Sequence, residues 1–147
     1  GAGISTNVTY FCSAAHEILL IATAEPTSLT DVYALIKTLY IKHSQKHFRM
    51  VINSVDSERE AQLIFRNLAA VTDRFLPNVS IEYLGYIVSD SNVTKAVRRQ
   101  KAFSEIYPHA KVTQCVKKLA QKMIAEKRSV MDEEQSSLFW RTAFIAR

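Results

Sequence analysis

Three short apolar runs, residues 17–24 (EILLIATA), 47–54 (HFRMVINS) and 79–88 (VSIEYLGYIV), are separated by two segments of helical length. This alternation constrains the fold more than any other feature of the chain. Apolar runs bounded by polar turns suit the strands of a parallel sheet, and residues 17–24 are expected to be buried on both faces. Between the first two runs, Ser28 to about His43 sets Val32, Leu35, Ile36, Leu39 and Tyr40 at helical spacing, with Ser28 as the capping residue and Asp31 in the first turn. Between the second and third, Ser57 opens a helix with Glu58 and Glu60 at its positive end and Ala61, Ile64, Phe65, Leu68 and Phe75 facing inward. Strand, helix, strand at this spacing requires crossover connections. The expected fold class is α/β, a parallel sheet with flanking helices.

Further helices are expected over 5–15, from Asp90 or Ser91 to about Lys101, and after Tyr107-Pro108, where Val112, Cys115, Val116, Leu119, Met123 and Ile124 share one face. Residues 126–137 are polar and lead to a short apolar cluster, so 1–125 is expected as one domain and 126–147 as a linker with a short amphipathic helix. With 147 residues, 48% of them hydrophobic, the chain can bury one core. Three parallel strands are few, and an edge as apolar as 17–24 invites pairing; either another segment completes the sheet or the chain associates with itself. Net charge is +5, with the cations gathered between Lys95 and Arg128, which favours anionic partners. Cys12 and Cys115 show no metal spacing, and no apolar run would span a bilayer, so a reducing cytoplasmic setting is expected.

In open α/β sheets, ligands bind where strands run out into loops. The second strand ends in Asn53 and the third in Val88, Ser89 and Asp90, on the same rim as the loop after the first. An Asn amide offers a donor and an acceptor, enough to read a purine edge. Asn53 and Asp90 also suit the plainer roles of turn former and helix cap, the more frequent use of these residues.

The segments GAGIS (1–5), AAHEILLIATAEPTSLTDVYALIK (14–37), VINSV (51–55) and LGYIVSDSNVTKAVRRQKAFSEIYP (84–108) resemble the MinD/ParA class of P-loop ATPases. Within that class they are most similar to the flagellar number and placement regulators of the FlhG or FleN type. The resemblance covers Gly1 to about Met123. It implies the C-terminal half of a P-loop NTPase, MinD-like fold, with Gly3 in the second switch near the γ-phosphate, Asn53 on adenine, and Val88 and Asp90 at the base. The family carries proline where this chain has Val88. The resemblance further implies that the parent protein is an ATPase using ATP and Mg2+. That parent would form a homodimer with ATP between its protomers, regulating flagellar number or placement through dimerisation and membrane or partner binding. An SRP-type GTPase of the FlhF type and flagellar components are the implied partners. The implied localisation is cytoplasmic, peripheral on the inner face of the membrane.

The phosphate half of such a site has no counterpart here. Gly1, Gly3 and Gly85 are the only glycines, and none is followed by Lys-Ser or Lys-Thr. This chain alone is therefore expected to hold no cofactor and to be catalytically inactive. Arg98, Arg99 and Lys101 fit a solvated helix face better than a nucleic-acid site, since no aromatics interleave the charges. As a helix, residues 136–147 group Leu138, Phe139, Trp140, Phe144 and Ile145 on one side with Arg141 and Arg147 outside. That pattern suits a membrane-surface helix and equally a helix docked on protein. Two other functions remain open: a non-catalytic α/β module that only binds a partner, and a ParA-type DNA partition ATPase.

Overall fold

The computed structural model describes residues 6–127. Its elements are α1 (Thr6–Ala14), β1 (Leu19–Ala22), α2 (Pro26–His43), β2 (His47–Val55), α3 (Glu58–Phe75), β3 (Ser80–Val88), α4 (Ser91–Arg98) and α5 (Phe103–Ile106), then a helical stretch over 111–127. The chain divides into two compact units, Gly1–Cys115 and Val116–Arg147, and every strand belongs to the first. The strands form one parallel sheet in the order β1-β2-β3, which is the expected α/β class.

Local chemistry sets the helix ends. α3 starts at Ser57, whose hydroxyl accepts from Glu60 N (3.3 Å), while the Glu60 carboxylate reaches back to Asp56 N (2.8 Å). This is a capping box displaced by one residue. α2 starts earlier than expected, because Pro26 has its backbone preset for a first helical turn and no N–H to lose. Ser28 is thereby drawn inside the helix, and its Oγ instead accepts from Thr23 N (3.0 Å), closing the loop that leaves β1.

One face of the sheet carries the main core. Leu20 and Ala22 of β1 and Phe48, Met50, Ile52 and Val55 of β2 pack with Val32, Ile36 and Leu39 of α2 and Ala61 and Leu68 of α3. Two inferences from the apolar pattern need correction. β1 alternates: Leu20 and Ala22 are buried, but Leu19 is 39% and Ile21 57% exposed. α2 packs on the other side of the strand, while Leu19 and Ile21 are only partly covered and line a groove together with Phe11 and Cys12 of α1. Phe75 is also exposed, its ring under Arg74 (5.5 Å), because the chain leaves the helix there and Leu76 takes the inner position.

Side chains of a strand alternate, so core residues three apart need an extra residue between them. Tyr83 and Tyr86 both pack on the main core; between them a register shift occurs, and Gly85 adopts φ 154. Ile52 and Val55 pose the same problem on β2. Here the register slips between Asn53 and Val55, and Ser54 takes the left-handed conformation at φ 60. On the opposite face Arg49 links all three strand lines, with Nη1 2.6 Å from Glu17 and Nε 3.3 Å from Glu82.

Replacement of Ser54 tests the bulge. Ser54→Gly should be neutral or raise the unfolding free energy by up to ~1 kcal/mol, since glycine adopts this conformation freely. Ser54→Val should lower it by about 1–2 kcal/mol. Urea unfolding measures both, and equal midpoints would mean that the core does not impose this backbone.

Candidate functional site

Because the three strands are parallel, their C-terminal ends share one rim. Asn53 is register partner to Ile87 and Val55 to Val88, and Ser89 N donates to Val55 O (2.9 Å), so the ends of β2 and β3 are tied together. The structure thus brings Asn53, Val88 and Asp90 onto one edge, as the strand pattern requires. Gly3 lies outside the described residues, as do Leu138, Phe139, Trp140, Phe144 and Ile145.

The two polar residues of the rim are in different states. Asn53 is half-buried, and its side-chain amide has no hydrogen-bond partner among the described residues. It sits just before the bulged Ser54. Its donor and its acceptor are both open to a ligand.

Asp90 is already engaged. Oδ1 accepts from Asn92 N (2.9 Å) as the cap of α4, and Oδ2 accepts from Val112 N (3.4 Å) at the start of the 111–127 helix. One carboxylate therefore joins two helix N-termini. The Asn92 N–H above all, with Val112 N–H and the nearby Lys95 charge, holds its pKa below the usual carboxylate value. Val88, register partner of Val55, is half-buried on the same rim and offers an apolar surface. The arrangement can present one open amide and one apolar contact to a flat ring. Among the described residues no glycine followed by Lys-Ser or Lys-Thr stands on this rim, and no group of His, Cys, Asp or Glu is placed to hold a metal ion. No described helix is long and apolar enough to cross a membrane.

A groove of about 790 Å³ runs along β1 and the loop that leaves it, lined by Phe11, Cys12, Leu19, Ile21, Ser28 and Asp31 among others. Sequence reasoning missed it, although the open apolar edge of residues 17–24 was a partial signal. Arg49 was missed too, because its two carboxylate partners are distant in sequence.

No protein-family profile matches the chain. Among curated proteins, it is 44% identical over 122 residues to the antiactivator FleN of Pseudomonas aeruginosa, a match covering 83% of this chain and 43% of that protein. It is 26% identical over 126 residues to the flagellum site-determining protein YlxH of Helicobacter pylori, covering 86% of this chain and 42% of that protein. The chain thus spans less than half the length of these relatives.

Asp90→Ala should lower thermal stability at neutral pH by removing both caps. A carboxylate with a depressed pKa stabilises the fold above its ordinary value and loses that contribution as pH falls through the folded-state value. The gap in melting temperature between wild type and Asp90→Ala should therefore narrow below about pH 4. A gap independent of pH would remove the ionised cap from the account.

Proposed function

Because this chain is a homologue of the MinD-like flagellar regulators and corresponds to the C-terminal part of one, we propose that it is the base-binding side of an ATPase that sets flagellar number or placement. The observation that supports this most directly is the open Asn53 amide on a rim flanked by Val88, within a segment 44% identical to an antiactivator. In this reading Asn53 donates to and accepts from the adenine edge, and Val88 packs on the ring. Asp90 acts indirectly, by holding the start of α4 against the start of the 111–127 helix.

The residues present suit a purine edge but not the phosphates. No glycine here precedes the Lys-Ser or Lys-Thr pair that phosphate and Mg2+ require. Phosphate and Mg2+ would be held by polypeptide of the kind that the longer relatives have beyond the matched segment. Gly3, whose lack of a side chain permits close backbone approach, would stand near the γ-phosphate. ATP-dependent dimerisation, contact with an SRP-type GTPase and flagellar components, and a cytoplasmic location peripheral to the inner membrane face complete the proposal. Leu138, Phe139, Trp140, Phe144 and Ile145 would supply the membrane contact.

A chimera in which this chain replaces the matching part of the Pseudomonas antiactivator should bind a fluorescent ATP analogue. Asn53→Ala should weaken that binding roughly tenfold or more, the scale of paired hydrogen bonds lost at a partly buried site. Unchanged affinity would remove Asn53 from the base. The chain on its own should release no phosphate from ATP above background, and turnover by the purified polypeptide would contradict the division of the site. Anionic vesicles should carry the intact chain into the pellet but not a version ending at Ser136. Equal sedimentation of both would exclude a membrane role for the last residues.

A further inference from the structure

α4 buries one side and leaves the other uncovered. Ala96 is buried and Val93 half-buried, whereas Thr94, Lys95, Val97, Arg98, Arg99, Gln100 and Lys101 are all exposed. Val97 is 68% exposed, an apolar side chain set among four cations. The turn after α4 is held by its backbone: Arg99 N and Lys101 N donate to Ala96 O (3.0 and 3.2 Å), and Gln100 N to Val97 O (2.9 Å). The cations are therefore not needed as caps. Attraction to the negative helix end accounts for Lys95 and Arg98 in the last turn. It accounts neither for Lys101, beyond the helix, nor for Val97. Lys95 lies near enough to Asp90 to help lower its pKa, but Arg98, Arg99 and Lys101 have no ion-pair partner among the described residues.

We propose that this turn is a docking site for an acidic protein segment that sets an apolar side chain on Val97, between carboxylates that meet Arg98, Arg99 and Lys101. Such a partner complements both the charge and the apolar centre, and arginines around an apolar anchor are typical of the contacts that dominate protein interfaces. Nucleic acid fits less well. Phosphates gain nothing from Val97, and the one aromatic residue of α4 and α5, Phe103, is half-buried rather than presented as an open ring for bases to stack on. A lipid surface also fits less well, because one valine is far short of the broad apolar face that interfacial helices bury. The site is independent of the nucleotide reading: Asn53 takes no part in it. Its small extent implies a weak, salt-sensitive complex of the transient kind.

The test is a fluorescence-anisotropy titration of the 147-residue chain against a labelled peptide with a central leucine flanked by glutamates. The leucine-to-serine peptide, a short DNA duplex and phosphatidylglycerol vesicles are run alongside. The acidic apolar peptide should bind, and more weakly as salt rises to ~0.3 M. The double variant Arg98→Glu/Arg99→Glu should weaken it tenfold or more, with the circular dichroism spectrum unchanged since both residues are exposed. Val97→Ser, and separately the serine peptide, should each weaken binding roughly threefold to tenfold. No binding of the peptide up to about 1 mM, equal binding by the variants, tighter binding of the duplex, or vesicle binding abolished by Arg98→Glu/Arg99→Glu would overturn the proposal.

Discussion

β2 is the strand on which the rest of the first unit is registered. It lies between β1 and β3 and shares a ladder with each, so its backbone groups are satisfied on both sides. Phe48, Met50, Val51, Ile52 and Val55 are all almost fully buried, which no other element approaches. Such a strand is stable only where helices and neighbouring strands remove it from water. α2 and α3 do this on one face, and Arg49, held between Glu17 and Glu82, ties the strand lines together on the other.

The same burial shapes the rim. Val55 can join the core three residues after Ile52 only because Ser54 leaves the strand alternation, at the cost of a left-handed backbone. Asn53 stands immediately before that break, half-buried and, among the described residues, without a hydrogen-bond partner, so core packing and the open amide are two results of one bulge. Asp90 shows the opposite outcome. Two helix N-termini converge on its carboxylate, and hydrogen bonds that a ligand could have used are spent inside the protein. The rim is thus polar at one point and closed at another, in keeping with a site that contacts one ring and leaves charge neutralisation to other residues.

Much of this was legible in the linear order of residues. Apolar runs of strand length and helices with inward stripes over 28–43 and 57–75 are local signals, and they specified the α/β class and the rim where Asn53, Val88 and Asp90 meet. The Ser57 cap was readable because its partners lie within four residues. Ser28 was misread because Pro26, two residues upstream, changed which residue could begin the helix. The groove along β1 was not readable either, since exposure of Leu19 and Ile21 depends on what lies across from them.

Residue pattern by itself determined which segments are strands and which are helices, because propensity and periodicity act over a few residues, and their alternation implied a parallel sheet. It also placed the polar ends of β2 and β3 on a common edge. Only the tertiary structure decided that, among the described residues, Asn53 is free while Asp90 is taken, that β1 is half-covered, and that Val97 is exposed among cations. Each of these depends on hydrogen-bond partners or cover brought from a distance along the chain, and a side chain's availability is a property of its neighbours in space.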